Sequence, residues 1–144
     1  MRRCYIFDID GTLADLTHRL PHIQKQPKDW TAFFAACLHD KPIPHIVELA
    51  RSLPLPIVCV SGRSDAVRVE TDFWLRVKAG LTPAALYMRR AGDFRNDDII
   101  KIELLDQLRS DGWSPVMAFE DRDRVVKVWR EAGVPCAQVA DGDF

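Results

Sequence analysis

The sequence predicts an α/β domain in which five parallel strands form a sheet covered by helices. Short apolar segments rich in β-forming residues alternate with amphipathic helical segments, the order typical of this class. The predicted strands are continuous apolar runs, which suits strands buried on both faces. A chain of 144 residues has the length of one domain with one core. We therefore expect a single domain over residues 1–144.

The strand segments end at polar residues that are candidates for chemistry. Residues 4–9 form the first apolar run, which ends in acidic side chains. Residues 56–60 form the second and lead into Ser61 and Gly62. The other predicted strands cover residues 84–88, 116–119 and 136–140.

Three helices are predicted between these strands from apolar residues at three- and four-residue spacing. The first begins after Ser64 and ends at Gly80, the second repeats Ile100, Leu104 and Leu108, and the third ends before Gly133 and Pro135. Their tryptophans, Trp74 and Trp129, lie on the apolar faces and are expected in the core.

Residues 13–45 interrupt the alternation of strands and helices. A polar stretch containing His18 and His22 precedes a short predicted helix with an aromatic face, formed by Trp30, Phe33 and Phe34. The aromatic residues either pack against the body of the domain or belong to a small helical cap above the carboxyl end of the first strand, where α/β sheets bind ligands. The two histidines are expected to be loop residues rather than metal ligands, since hard divalent cations prefer oxygen ligands.

Composition excludes several classes of protein. The 20 Lys and Arg residues nearly balance 21 Asp and Glu residues, which argues against a global basic surface for duplex DNA. No apolar run approaches the roughly 18 residues of a membrane-spanning helix, and the N-terminal apolar run is too short for a signal peptide. The four cysteines form no C-x-x-C pair, so buried reduced thiols are favoured over disulfides or zinc. We expect a cytoplasmic protein with no membrane partner.

The strongest motif is Asp8-Ile9-Asp10-Gly11-Thr12, directly after the first strand. Two carboxylates at positions i and i+2 of an extended strand point to the same side. At the exit of a strand they would form a cluster of hard oxygen ligands suited to Mg²⁺.

Further polar residues lie at the other strand ends. Ser61-Gly62-Arg63 offers a hydroxyl, backbone N–H groups and a guanidinium, which suit a phosphoryl group, although Ser-Gly is also an ordinary turn. Asp97 and Lys101 share one face at the start of a helix, which taken alone would be a solvated face. Glu120-Asp121 closes the fourth strand with a second acidic pair. Two acidic strand ends, a Ser turn and a Lys in this order indicate a phosphoryl-binding site more specifically than any one of these features alone.

At these residues the sequence resembles the haloacid dehalogenase (HAD) superfamily of phosphotransferases. Asp8 to Thr12 is similar to its first motif, Ser61 to its second, Lys101 to its third and Glu120-Asp121 to its fourth. The resemblance covers nearly the whole chain and implies a HAD-like Rossmannoid fold.

Other segments resemble the 3′-phosphatase domain of phage-type polynucleotide kinase-phosphatase. They are Ser61-Gly62-Arg63, residues 95–101, residues 121–130 and Gly142-Asp143-Phe144. Arg19 matches an arginine that this family uses near the phosphate. The sequence has no G-x-x-x-x-G-K-[ST] nucleotide-binding loop, so no kinase domain is expected, and Glu120 stands where the family usually has Asp.

The resemblance implies Mg²⁺-dependent hydrolysis through an aspartyl-phosphate. Asp8 would be the nucleophile and Asp10 the general acid and base, with Ser61 and Lys101 completing the catalytic set. The expected substrate-binding residues are Thr12, Arg19, Gly62, Arg63 and Asp97. The expected metal-binding residues are Asp8, Asp10 through its backbone carbonyl, Asp121 and Glu120. Arg89, Arg90 and Arg95 either help to recognise the substrate end or, for Arg89 and Arg90, are surface residues.

We thus expect a polynucleotide 3′-phosphatase that lacks a kinase domain and acts on a phosphorylated nucleic-acid end or nucleotide. The alternative is a HAD phosphatase for free nucleotides or other small phosphoesters. A non-catalytic binding module is disfavoured, because paired carboxylates repel a phosphate when no metal is present.

Overall fold

Five parallel strands form the central sheet of the computed structural model, which describes residues 1–144. The chain has seven strands in all, five of which belong to this sheet. In chain order the seven are β1 (Arg2–Phe7), β2 (Ala14–Asp15), β3 (Lys41–Pro42), β4 (Ile57–Ser64), β5 (Ala85–Arg89), β6 (Trp113–Glu120) and β7 (Cys136–Gln138). The sheet has the order β5-β4-β1-β6-β7, and all of its pairs are parallel. The predicted α/β class and the five predicted strands are confirmed.

The first strand, β1, is central and aligns the strand ends that carry the motifs. Phe7 is in register with Cys59 of β4 on one side and with Phe119 of β6 on the other. The residues that follow these three strands therefore meet at one edge of the sheet. The strand ends differ from the prediction by two to four residues, since β1 stops at Phe7 and β4 continues to Ser64.

Six helices accompany the strands. They are α1 (Pro21–Gln24), α2 (Trp30–Ala35), α3 (Pro44–Ser52), α4 (Arg68–Phe73), α5 (Asp97–Ser110) and α6 (Asp123–Glu131). A π-helical turn, Trp74–Lys78, extends α4, and Gly80 ends it with φ +65°. None of these helices combines the length and the apolar character that crossing a membrane requires.

Helix α3 was missed by the sequence analysis. Pro44 occupies its first turn, a position that proline favours, and Ile46, Val47 and Ala50 form its buried face. The helical spacing of these apolar residues and the proline before them are the two features of the sequence that predict this helix.

The two faces of the sheet bury separate apolar clusters. Trp129 packs with α5 and α6 residues on one face, and Trp74 packs with α3 residues on the other. Both tryptophans are almost inaccessible, as predicted. Full burial of a large apolar side chain contributes about 1.5–3 kcal/mol. All four cysteines are free and buried, in line with the expected reduced thiols.

Residues 13–45 form a small excursion between β1 and α3. Its base is a two-stranded antiparallel pair of β2 and β3, and it carries α1, α2 and two 3-10 turns. The predicted aromatic helix is present as α2, where Phe33 is buried while Trp30 is 42% exposed. Since α3 begins at Pro44, the predicted boundary at residue 45 falls just inside that helix.

Candidate active site

Asp8 directly follows β1 and meets Lys101, which α5 brings to the same edge of the sheet. The Lys101 Nζ donates to Oδ1 of Asp8 at 2.6 Å. The Thr12 hydroxyl donates to Oδ2 of Asp8 at 3.2 Å and lies 3.4 Å from Oδ1 of Asp121. Asp8 is 5% and Lys101 1% exposed, so water screens this ion pair poorly.

Glu120 is the last residue of β6 and serves as the second partner of Lys101. Its Oε2 accepts from Lys101 Nζ at 2.7 Å, and its Oε1 accepts from the backbone N–H groups of Asp121 and Arg122. Trp129 Nε1 also points at Oε2, at 3.5 Å. The backbone and Trp129 donors fix the Glu120 carboxylate, and its bond to Nζ fixes Lys101 beside Asp8.

The carboxylates of Asp8, Glu120 and Asp121 suit a divalent cation. Each offers an oxygen, and these oxygens lie within 4.8 Å of one another. Burial raises the pKa of Asp8 well above its usual value, and the charge of Glu120 adds to the effect. Burial likewise raises the pKa of Asp121 to about 6. Three buried acids with one lysine thus lack positive charge, which a hard cation such as Mg²⁺ would supply.

Lys101 carries a firmly held charge. Burial alone would lower its pKa, but Asp8 and Glu120 outweigh that effect and raise it. Burial alone would raise the pKa of Glu120, but the charge and hydrogen bond of Lys101 outweigh that effect and lower it. Lys101 therefore stays protonated and acts as a fixed cation at the site.

Two glycines permit the close approach of the loop that carries Asp121. Gly11 has φ +80°, and a Cβ on it would collide with the Asp121 carboxylate. A Cβ on Gly142 would collide with the Asp121 backbone carbonyl, and the Gly142 carbonyl accepts from Asp123 N–H at 2.9 Å. Asp121 is thus enclosed by the turn after Asp10 on one side and by residues near 142 on the other.

The end of β4 places Ser61 and Gly62 beside the start of α5. Ser61 is buried, and its Oγ accepts from Arg63 N–H at 3.0 Å, which leaves its own hydroxyl hydrogen free to donate. A Cβ on Gly62 would collide with Asp97, so this turn and the first turn of α5 are in direct contact. Arg89 fastens the contact by donating to the Gly62 carbonyl at 2.7 Å and to Asp97 at 2.5 Å.

Asp10 belongs to a different cluster from Asp8. Its Oδ1 accepts from Arg19 Nη2 at 2.8 Å and from Arg63 Nη2 at 2.7 Å. Burial alone would raise the pKa of Asp10, but Arg63 and Arg19 outweigh it and lower it. The expected single cluster of the Asp8 and Asp10 carboxylates is therefore wrong, because β1 ends at Phe7 and the chain turns at Gly11. The predicted metal contact of the Asp10 backbone carbonyl stays a prediction.

Asp40 was not identified from the sequence. It lies just before β3, is 4% exposed and accepts hydrogen bonds from both Arg19 and Arg63. Nothing in the local sequence distinguishes it from an ordinary loop acid.

Some of the remaining candidate residues are hydrogen-bonded to neighbouring groups, and others are exposed. Arg89 is half-buried and fully engaged, so its interpretation as a solvated surface residue is wrong. Arg90 is exposed, and Arg95 is paired with Asp93 and Glu103. His18 Nε2 lies 2.7 Å from Oδ1 of Asp40, and His18 is not part of the acidic group of Asp8, Glu120 and Asp121.

Comparison with known proteins agrees with this geometry. Residues 2–144 match the family described as the polynucleotide kinase PNKP phosphatase domain. A putative bifunctional polynucleotide kinase/RNA ligase of Autographa californica nuclear polyhedrosis virus is 26% identical over 137 residues, which are 92% of this chain and 18% of that protein.

Solved structures give the same picture. A chain of the Pnkp1/Rnl/Hen1 RNA repair complex superimposes with a TM-score of 0.84 at 30% identity, over 100% of this chain and 44% of the other. L-2-haloacid dehalogenase from Xanthobacter autotrophicus has the same fold, with a TM-score of 0.66 at 15% identity, over 96% of this chain and 78% of the other. A HAD-like hydrolase from Streptococcus pneumoniae matches with a TM-score of 0.66 at 14% identity, over 94% of this chain and 83% of the other.

The chain spans less than half of the repair-complex chain and about a fifth of the viral relative. The shared region carries the acidic strand ends and the buried lysine described above. The protein is a phosphatase of the HAD type, and it belongs to the family of PNKP phosphatase domains.

Proposed function

We propose that this chain removes a 3′-phosphate from a nucleic-acid end, with Mg²⁺ and through an aspartyl-phosphate. The observation that carries the proposal is the Asp8 carboxylate, buried beside Asp121 and held by Lys101 at 2.6 Å, in a chain of this family. A carboxylate fixed next to a cation and a metal-binding acid is suited to attack a phosphoryl group.

In the first step, an Asp8 oxygen attacks phosphorus, the new O–P bond forms, and the bond to the leaving oxygen breaks. We assign Lys101 and the Ser61 hydroxyl to bind the phosphoryl oxygens as the charge on them grows, since Lys101 contacts Asp8 and the Ser61 hydroxyl hydrogen is free to donate. Mg²⁺, held by Asp8 and Asp121, would neutralise part of that charge. Glu120 acts behind Lys101 by keeping its ammonium group in position.

Asp10 supplies the proton that the leaving alkoxide needs, then takes one from the water that hydrolyses the aspartyl-phosphate. Arg19 and Arg63 hold this carboxylate ionised in the free protein. The negative charge of a bound phosphate close to Asp10 raises the proton affinity of this carboxylate where the reaction requires it.

Residues 13–45 are proposed to act as a small cap at the site. The Asp10 side chain remains 25% exposed beneath this segment, although the arginines that bind it are buried. The helices of this segment have only four and six residues, so the proposed cap is small. The family match and the repair-complex neighbour support a phosphorylated nucleic-acid end as the substrate.

The test compares a 3′-phosphorylated oligonucleotide, its 5′-phosphorylated counterpart, a 3′-mononucleotide and p-nitrophenyl phosphate, each with Mg²⁺ or with chelator. We expect Mg²⁺-dependent release of phosphate, fastest from the 3′-phosphorylated oligonucleotide. With a ³²P-labelled 3′-phosphate, acid-quenched protein should carry the label in a form that hydroxylamine releases.

Asp8→Asn is expected to abolish turnover and labelling. Asp106→Asn is the matched control, because Asp106 is an exposed carboxylate of α5. Activity that survives in Asp8→Asn or in chelator would refute the mechanism. Turnover of the small phosphates alone would refute the nucleic-acid substrate and leave a phosphatase for small phosphoesters.

A further inference from the structure

Asp40 is a buried carboxylate for which the proposed reaction has no assigned role. It follows a 3-10 turn, Ala36–His39, and precedes β3, so it belongs to the excursion rather than to a strand end of the main sheet. Its side chain is inaccessible to solvent, whereas that of Asp10 is 25% exposed. A buried carboxylate destabilises the folded state unless it is fully paired, so Asp40 needs several hydrogen-bond donors around it.

Two guanidiniums bridge Asp40 and Asp10. Arg19 donates from Nε to Oδ1 of Asp40 at 2.7 Å and from Nη2 to Oδ2 at 2.8 Å, the two-pronged arrangement that fixes a guanidinium plane. Arg63 donates from Nη2 to Oδ2 of Asp40 at 2.9 Å. The same Nη2 atoms of both arginines contact Oδ1 of Asp10, at 2.8 and 2.7 Å.

The other donors of the two arginines are also engaged. Arg19 Nη1 donates to the Phe33 carbonyl at 3.3 Å, and Arg63 Nη1 donates to the Thr71 hydroxyl at 3.2 Å. Two cations thus face two carboxylates, one at the accessible side and one at the closed side. The Asp40 carboxylate is closed off from solvent, whereas the Asp10 carboxylate is partly open to it.

Asp40 is itself held by the body of the domain. Its backbone carbonyl accepts from Trp74 Nε1 at 2.9 Å, and its N–H donates to the Cys37 carbonyl at 3.1 Å. His18 Nε2 lies 2.7 Å from Oδ1 of Asp40. The carboxylate therefore has a fixed position against which both arginines are aligned.

We propose that Asp40 is a positioning residue which, through Arg19 and Arg63, holds the Asp10 carboxylate where it delivers a proton to the leaving oxygen. Asp40 keeps both guanidiniums in place, and their bonds to Asp10 keep the Asp10 carboxylate in place. The inference rests on the proposed role of Asp10 as proton donor. Proton donation matters for a poorly leaving alkoxide and little for p-nitrophenolate, which leaves without a proton.

The test measures kcat/KM of Asp40→Asn on an alkyl and an aryl phosphate: a 3′-phosphorylated oligonucleotide, or a 3′-mononucleotide, against p-nitrophenyl phosphate. This constant reports the steps up to departure of the leaving group. We expect a loss of about 10- to 100-fold on the alkyl substrate, in the range expected for a proton donor displaced by about 1 Å. On the aryl substrate we expect a change below about threefold, since no proton is needed there.

Three further variants separate the possible failures. Asp10→Asn should show the same selectivity with a larger loss; if it loses both substrates equally, the proposed role of Asp10 fails. Asp29→Asn is the matched control, because Asp29 lies in the same excursion and caps α2 without touching either arginine. Asp40→Glu keeps the charge but displaces the carboxylate, and should give a smaller, equally selective loss.

Equal losses on both substrates in Asp40→Asn, or no loss on either, would overturn the inference while the role of Asp10 stands. If Asp40→Asn does not fold, Asp40→Glu is judged by the same criteria. If neither variant folds, Asp40 supports the structure rather than the proton donor, and the inference is rejected.

Discussion

The metal-free protein should become more stable when Asp121 is replaced by Asn. Burial raises the pKa of Asp121 from 3.8 to about 6, so the folded state holds a proton that the unfolded chain releases more readily. A carboxyl whose pKa is raised by folding makes its full contribution to the free energy of unfolding below about pH 4, and that contribution is lost as the pH rises through about 6. At pH 7.5 the ionised side chain therefore destabilises the folded protein, and Asn removes that charge with little change in volume.

The size of the effect follows from the shift. About two pKa units correspond to roughly 3 kcal/mol, and little solvent screening applies because Asp121 is only 6% exposed. In chelator at pH 7.5 we expect Asp121→Asn to raise the free energy of unfolding by about 2–3 kcal/mol, or the Tm by roughly 5–10 °C. Near pH 4 the two proteins should be equally stable. Urea denaturation and thermal unfolding at the two pH values measure this directly.

Mg²⁺ provides the complementary measurement. At about 100 times its dissociation constant, a ligand of the folded state stabilises it by roughly 2.7 kcal/mol, so the wild type should recover what ionisation of Asp121 removes. Asp121→Asn should gain much less, and should be inactive. An Asn variant that is no more stable than wild type in chelator at pH 7.5, or that is more stable by the same amount at pH 4, would refute this account of the acidic site.

Other consequences can be checked separately. Gly62→Ala forces a Cβ into Asp97 and should lower the free energy of unfolding by about 1–3 kcal/mol, with loss of activity. In the control Gly92→Ala the Cβ meets no atom within 4 Å, and the positive φ alone should cost about 1 kcal/mol. Equal effects of the two substitutions would contradict the close contact between Gly62 and Asp97. Lys101→Met removes the cation paired with the buried carboxylates of Asp8 and Glu120 and should cost about 3–5 kcal/mol in chelator at pH 7.5. The cost should be smaller at pH 5, where the acids can protonate, and urea denaturation at the two pH values measures the difference. Burial raises the pKa of the Cys59 thiol to about 12, so iodoacetamide should alkylate it in unfolded but not in native protein at pH 8, and rapid native labelling would argue against its burial.

The sequence was sufficient to locate the acidic site because parallel strands bring their carboxyl ends to one edge. Asp8, Lys101 and Asp121 follow different strands, and that topology alone implies that they meet. The same logic placed Ser61 near them. These residues are predictable from the order of apolar runs and the polar residues that end them.

Other parts of the site depend on turns and packing that the sequence does not display. The spacing of Asp8 and Asp10 suggested one cluster, but the rule for i and i+2 holds only within an extended strand, and β1 ends at Phe7. Asp40 was missed because its partners, Arg19 and Arg63, lie 21 and 23 positions away. Their contact exists only once the excursion has folded back on β4.

The distances along the chain between the acidic-site residues also bear on how the protein is made. Asp8 leaves the ribosome 93 residues before Lys101, which at about 5–20 residues per second is an interval of roughly 5–20 s. Throughout that interval Asp8 has no buried cation to pair with, and the loop of Asp121 closes only after Gly142 has been added. Phosphatase activity in a translation reaction should thus appear in one step once residue 142 has emerged from the ribosome, with none from shorter nascent chains.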